Sequence, residues 1–274
     1  MTEHPDSITF IGGGNMARSL IGGLLAGGST PGQVHVVEPR AEAREGLERE
    51  FGITTHAEAD AVALASATLV LAIKPQVMRG VCEAIGGQLA RGTLVISIAA
   101  GIRLAQIGRW LGGEHAIVRC MPNTPALIGA GASGLCASAS VEPAQRERAE
   151  RVLASAGLTC WVDDEALIDT VTGISGSGPA YFFAFVEALE DAGVAQGLPR
   201  DTARALACQT CLGAGRMLVE GDDAPAELRR KVTSPNGTTA AALDSLSGDD
   251  LAGVVARAVA AATRRGQSLS AELD

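Results

Sequence analysis

SITFIGGGNMA, residues Ser7 to Ala17, is the stretch on which the fold turns. It begins with a strand-like run rich in β-branched and aromatic residues, Ile8 to Ile11, and continues as Gly12-x-Gly14-x-x-Ala17 into a helical stretch. A strand, a tight turn and a helix in that order form the first turn of a dinucleotide-binding βαβ unit. Each small residue has its own reason: Gly12 turns the chain, Gly14 lets backbone approach a pyrophosphate, and Ala17 lets helix pack closely on strand. The helix start then offers its N–H groups to the phosphates. A glycine-rich turn can also serve packing alone, so the surrounding pattern has to decide.

Outward from this stretch, short β-rich runs alternate with helical ones: QVHVVE, ATLVLAI and GTLVIS follow, and a further short strand is predicted over Ala116 to Cys120. Leu69–Ile73 and Leu94–Ile98 are apolar on both faces, as strands of a parallel sheet covered above and below must be. The segment MPNTPALIGAGASG, with its prolines and glycines, reads as a loop, and one more βαβ-like stretch reaches about Val162. After Asp164 strand signals stop, and helices are expected over 179–196, 200–220, 226–232 and 251–265. The reading is an α/β Rossmann domain, doubly wound with a mostly parallel sheet, over 1–164, followed by an all-α dimerisation and substrate-binding domain over 165–274. The C-terminal helices, as in LAGVVARAVAAA, are apolar around much of their circumference. Such helices need burial on all sides, which predicts an obligate oligomer.

Composition narrows the function. The 274 residues carry 31 acids against 22 Lys and Arg, a net charge of −9, so no basic field exists to attract nucleic acid or an anionic membrane. The polar, acidic start lacks the basic-then-apolar pattern of a secretory signal, and no apolar run approaches the roughly 20 residues of a membrane span. A soluble, cytoplasmic protein acting on a small molecule is expected. Six cysteines are scattered, and Cys208 and Cys211 form a lone CxxC without a second pair or a nearby His. All six are read as reduced thiols, this pair as buried small residues, and no metal site is expected.

Glu38 closes the second strand about 20 residues past the glycine loop, where an acid binds the adenosine ribose and disfavours a 2′-phosphate. Arg40, two residues on, could receive that phosphate instead, so NADPH and NADH both remain open. Both residues could also be solvated surface charges. IKPQ, SIAAG and MPNTP follow strand ends and are expected to line the cofactor cleft, with Lys74 as the cation beside phosphate or ribose.

The four histidines, His4, His35, His56 and His115, all precede the helical domain, and the only lysines are Lys74 and Lys231. That disfavours dehydrogenases that use His or Lys against an alcohol or ketone. An imine needs less help, because its nitrogen can be protonated before hydride arrives. The loop TSPNGTT, Thr233 to Thr239, offers hydroxyls beside a Pro-Asn-Gly turn leading into a helix whose free N–H groups can bind a carboxylate. Thr238 or Thr239 could equally be an ordinary helix cap.

IGGGNMA, AIKPQ, SIAAGI, RCMPNTPA, VDDEALIDTVTGISGSGPAYFF, GLPRDTA and LRRKVTSPNGTTAAAL, in that order, give the chain a resemblance to pyrroline-5-carboxylate reductases over nearly its whole length. The resemblance implies hydride transfer from NAD(P)H to 1-pyrroline-5-carboxylate, giving L-proline, by a homodimer or a higher homo-oligomer such as a decamer. It implies cofactor contacts from Ile11, Gly12, Gly13, Gly14, Asn15 and Met16, and from Ala72, Ile73, Lys74 and Pro75. Ile98, Ala99, Met121, Pro122 and Asn123 are implied on the nicotinamide side. Glu165 resembles a substrate-proximal acid that can come from the neighbouring subunit. Gly237, Thr238 and Thr239 match the segment that holds the carboxylate, with Thr239 and Ser234 as the candidate catalytic hydroxyls. Asn236 stands where the family usually has Gly, and Ala59 where many members have an Asn near the ribose. A reductase of the six-membered cyclic imino acid and a dinucleotide sensor without turnover are the two competing expectations.

Overall fold

The computed structural model describes residues 7–272; His4 and the rest of the acidic start lie outside them. Eight strands form one sheet: β1 (Ile8–Ile11), β2 (Val34–Val37), β3 (Thr54–His56), β4 (Thr68–Leu71), β5 (Leu94–Ser97), β6 (Ala116–Met121), β7 (Gly131–Ala137) and β8 (Gly157–Trp161). Their order is β3-β2-β1-β4-β5-β6-β7-β8. All neighbours are parallel except β6 and β7, which are antiparallel. The order reverses between β1 and β4, and ligands of open α/β sheets bind at such a switch point, beyond the strand C-termini.

Between the strands run α1 (Asn15–Ala26), α2 (Ala41–Phe51), α3 (Pro75–Ile85), α4 (Leu104–Leu111) and α5 (Pro143–Ala154). Neighbouring strand residues point to opposite faces, and here both faces are sealed. Phe10, Val70, Ile96 and Val118 pack with Leu20 and Ile21 of α1 and Val152 of α5. Ile11, Leu71, Val95 and Ile117 pack on the other face with Met78 of α3 and Ile107 of α4. This is why the strands read as continuous apolar runs.

The expected loop over Met121–Gly134 is shorter than the sequence suggested. Thr124–Ile128 forms a 3-10 turn and β7 begins at Gly131. Gly131 is there for close packing: its N–H donates to Ala156 C=O at 2.9 Å, and a Cβ at Gly157 would run into its backbone. Those glycines let two strands approach and do not break the chain into turns. β3, which the sequence did not signal, is a short edge strand.

After β8 come α6 (Leu167–Val171), a π-helical turn (Thr172–Gly176), α7 (Gly178–Ala195), α8 (Arg200–Glu220), α9 (Pro225–Lys231), α10 (Thr238–Gly248) and α11 (Leu251–Glu272). The chain divides into two compact units, Met1–Gly176 with Ala261–Asp274, and Ser177–Ala260. This division falls later than the Asp164/Glu165 boundary expected from the sequence. Asp169 on α6 is 4% exposed, and Gly266 of α11 lies against it, a Cβ there reaching within 3.2 Å of its Oδ1. These contacts tie both segments to the first unit.

In the second unit α7 packs along α8. Gly193 allows the close approach, since a Cβ there would lie 3.2 Å from that of Ala203. Glu190 is buried and bonded by Arg200 (2.7 Å) and Arg204 (2.8 and 3.0 Å). Among the described residues no helix is long and apolar enough to cross a membrane.

Candidate functional site

At the switch point Gly12 has φ +100°, and a Cβ there would stand 2.5 Å from Ala72 C=O. Both the backbone conformation and the closeness of β4 therefore demand glycine. Gly13 N–H donates to Glu38 Oε2 at 3.2 Å, which locks the loop to the end of β2. Gly14 differs: nothing lies within 4 Å of where its Cβ would be, so the space beside it is open. Gly14 caps α1 without a side-chain bond, and Arg18 N–H bonds back to its C=O at 3.0 Å. The N–H groups of Asn15, Met16 and Ala17 thus have no intrahelical acceptor and lie beside open space. These residues fit a dinucleotide diphosphate.

The opening continues into a cleft of about 320 Å³. It brings together Gly14, Asn15, Met16, Ala72, Ile73, Lys74, Ile98, Met121 and Pro122 from the expected set, and adds Ala17 and Ala100. Lys74 is exposed at the N-cap of α3, with Pro75 following at the first helical position. Other expected contacts do not line this cleft. Ile11 and Ala99 are 4% and 5% exposed and belong to the core. Asn123 spends its side chain on the protein: Oδ1 accepts Ala132 N–H at 2.8 Å, and Nδ2 donates to Ser175 C=O at 3.1 Å. Ala59 packs against the core.

At the ribose end Glu38 and Arg40 pair with each other. Arg40 Nε and N–H donate to Glu38 Oε1 at 2.9 and 3.2 Å. Burial pushes the Glu38 carboxyl up, but these bonds and that of Gly13 outweigh it and hold it below the ordinary carboxylate range. Glu38 is 6% exposed and so is no solvated charge, whereas the Arg40 side chain is 73% exposed. Arg44 adds a second guanidinium, bonded to the carbonyls of Glu38 and Pro39 at 2.9 and 2.8 Å.

In the second unit Gly237 N–H closes a turn on Ser234 C=O at 3.0 Å, with Asn236 in the left-handed region at φ 58°. Asn tolerates that conformation, so the expected Gly is dispensable. Gly237, not a threonine, is the N-cap of α10, and no side chain caps it. The cap reading of Thr238 and Thr239 therefore does not hold. Ala241 N–H bonds back to Gly237 C=O at 3.2 Å, so the N–H groups of Thr238 and Thr239 lie in the orphan turn. Ser234 is exposed and Thr239 half-buried.

Glu165 Oε1 accepts Leu104 N–H at 2.8 Å and Arg119 Nη1 at 3.1 Å, and Arg119 Nη2 reaches Asp169 at 3.4 Å. Arg119 is 3% exposed. The sequence drew no attention to this buried cation or to Asp169. His35 and His56 contact each other at 3.2 Å on β2 and β3. All six cysteines are free; burial pushes Cys120 up to about 12 and Cys82 to about 11, so both stay protonated thiols at neutral pH. Cys208 is exposed and Cys211 half-buried in the single chain, contrary to the expected burial, because α8 turns little of its surface inward.

Comparison with known proteins bears on these features. The family described as "Pyrroline-5-carboxylate reductase dimerisation" matches residues 165–269, and "NADP oxidoreductase coenzyme F420-dependent" matches residues 7–101. A pyrroline-5-carboxylate reductase of Pseudomonas aeruginosa is 49% identical over 267 residues, covering 97% of each chain. The solved pyrroline-5-carboxylate reductase of Coxiella burnetii is 40% identical with a TM-score of 0.94, over 97% of this chain and 99% of that one. The Plasmodium falciparum pyrroline carboxylate reductase, solved with NADP bound, is 28% identical with a TM-score of 0.83, over 98% of this chain and 100% of that one.

Proposed function

This chain belongs to the pyrroline-5-carboxylate reductase family, and from that premise we propose how its residues reduce the C=N bond of 1-pyrroline-5-carboxylate to give L-proline. The observation that carries the reading is the uncapped start of α10: Thr238 and Thr239 offer backbone N–H groups, and their hydroxyls are not used as caps.

A bound nicotinamide supplies the hydride that adds to C5 of the ring. The chain's own residues do the rest. The orphan N–H groups after Gly237 hold the substrate carboxylate, since a helix N-terminus favours negative charge. The Thr239 hydroxyl hydrogen-bonds the ring nitrogen, which carries its proton before C5 accepts hydride, and Ser234 is the second hydroxyl available there. Glu165 has Oε1 held by Arg119 and Leu104; its other oxygen, on a side chain 26% exposed, is what it offers the substrate. Gly12 to Met16 and Ala72 to Pro75 hold the diphosphate and ribose, and Ile98, Met121 and Pro122 form the nicotinamide side. Ile11, Ala99 and Asn123 support these contacts from behind.

We assign NADPH as the preferred cofactor, with NADH usable. Arg40 already neutralises Glu38, and its exposed guanidinium, with Arg44 beside it, suits a 2′-phosphate. The protein acts in the cytoplasm as a homodimer or a higher homo-oligomer such as a decamer.

Initial rates of NADPH and NADH oxidation with 1-pyrroline-5-carboxylate test this. Thr239→Val is expected to lower kcat by about 10²- to 10⁴-fold, the usual worth of a positioned proton donor, with partial recovery in Thr239→Ser. Full activity in Thr239→Val would remove that residue from the chemistry. Faster turnover of the six-membered cyclic imine would reassign the substrate, and cofactor binding without turnover would favour a sensor.

A further inference from the structure

We infer that Gly176 is a positioning residue for the cofactor cleft and acts through Met121; the inference rests on the cleft beside Gly14 being the cofactor site. The starting observation is a set of three side chains at alternate positions along β6 and its extension. Arg119, Met121 and Asn123 all meet the segment from Glu165 to Gly176. Arg119 bonds Glu165 and Asp169. Asn123, in extended conformation at φ −131° and ψ 166°, bonds Ser175. Between them, Met121 Cε fills the space beside Gly176 that a side chain would need: a Cβ on Gly176 would be 2.5 Å from it unless Met121 moved.

Gly176 is not among the glycines with positive φ, so the backbone conformation does not require glycine. The contact with Met121 does, unless Met121 moves. It closes a π-helical turn, Thr172–Gly176, a form found mostly as single turns at functional sites. The turn cannot simply retreat from a larger side chain, because Asn123 bonds the Ser175 carbonyl, the Ser175 hydroxyl is bonded to Ala132 C=O at 3.0 Å, and Arg119 anchors Glu165 and Asp169 just ahead of the turn. The Met121 thioether can move, since Met has three rotatable bonds and adapts readily. Met121 lines the cleft with Pro122 and Ile98. A methyl group at position 176 therefore costs the fold little and displaces the cleft wall.

The test is a double-mutant cycle on Gly176→Ala and Met121→Ala. The readouts are NADPH dissociation constant by fluorescence, KM for NADPH, kcat, and thermal unfolding of each variant. In the Met121 background Gly176→Ala is expected to weaken NADPH binding about tenfold, the usual coupling between touching residues, with the unfolding midpoint nearly unchanged. In the Met121→Ala background the same change is expected to cost less than about twofold. Wild-type affinity in Gly176→Ala would overturn the inference. So would an equal loss in both backgrounds, which would mean that position 176 acts without Met121. A Gly176→Ala chain that folds only when Met121 is also truncated would overturn it too, because the fold and not the cleft would then absorb the strain. Wild-type protein that binds neither NADPH nor NADH would instead sink the cleft assignment, and the inference with it.

Discussion

In the sheet unit Phe10, Val70 and Ile96 are wholly sealed from solvent, whereas in Ser177–Ala260 Phe183 is 68% and Val219 86% exposed. The contrast holds along whole helices. Of the 12 residues of α1, Ala17, Leu20, Ile21 and Leu24 are buried; of the 18 of α7, only Gly178 and Glu190 are. Phe182, Leu206, Leu212 and Met217 add to the uncovered surface. Folded chains seldom leave so many large apolar side chains bare along whole helices. The sheet unit thus completes its own core and needs no partner to hold the cofactor loop. The helical unit carries half of a core, and a second copy supplies the other half.

The largest expected effect comes from placing charge on that uncovered face. Phe183→Glu should weaken self-association by roughly 100-fold or more, as loss of a buried aromatic anchor does, read by sedimentation velocity. Catalytic rate should fall in step, while NADPH binding to the sheet unit survives. Loss of NADPH binding in that variant would mean that the two regions are not independent.

A core truncation in the sheet unit sharpens the comparison from the other side. Phe10→Ala should cost about 3–5 kcal/mol in urea unfolding, the usual range for emptying a buried aromatic site. That loss should be the same at low and high protein concentration. For Leu212→Ala the apparent loss should instead shrink as protein concentration rises, because assembly contributes to stability by mass action.

Arg40→Ala should reduce the NADPH-to-NADH ratio of kcat/KM by about tenfold, consistent with losing one charge-assisted contact to phosphate. A ratio that did not move would return the 2′-phosphate to Arg44 or Lys74.

The smallest effect concerns acid stability. Glu38 and Glu190 are buried carboxylates, one in each unit, and both carboxyls are held below the ordinary range. Glu38 is lowered by bonds from Arg40 and Gly13 against the upward push of burial, and Glu190 chiefly by Arg204 and then Arg200. A folded-state value below the unfolded one means a contribution fully present above the unfolded carboxyl's titration and lost as pH falls through the folded one. Glu38→Gln and Glu190→Gln should therefore lower stability near neutral pH and converge on wild type in acid. Equal losses at every pH would mean that packing, not charge, is what the carboxylates supply.

The sheet unit was largely legible in the sequence because its strands are buried on both faces, so apolar runs and the glycine fingerprint fall where physics requires them. β3 escaped because Thr54, Thr55 and His56 form an edge strand with no apolar run, although His56 C=O holds Glu38 N–H at 3.0 Å. The start of β7 escaped because its glycines serve close packing and look like turn residues. At the site, the resemblance named Asn123 and Ala99 as cofactor contacts but could not show that one side chain is spent on Ser175 and the other lies in the core. Arg119 and Gly176 lie inside the matching motifs RCMPNTPA and VDDEALIDTVTGISGSGPAYFF, but nothing there marked what either one touches. A lone Arg inside an apolar strand gains meaning only from Glu165 and Asp169, 46 and 50 residues away.

The central claim, that the helical unit is half of a core completed by a second copy, is tested most directly by sedimentation velocity over a hundredfold range of protein concentration, with specific activity measured on the same samples. The account gives a homo-oligomer throughout, or a loss of activity that tracks any monomer that forms. A stable monomer that reduces 1-pyrroline-5-carboxylate at the full rate would contradict it.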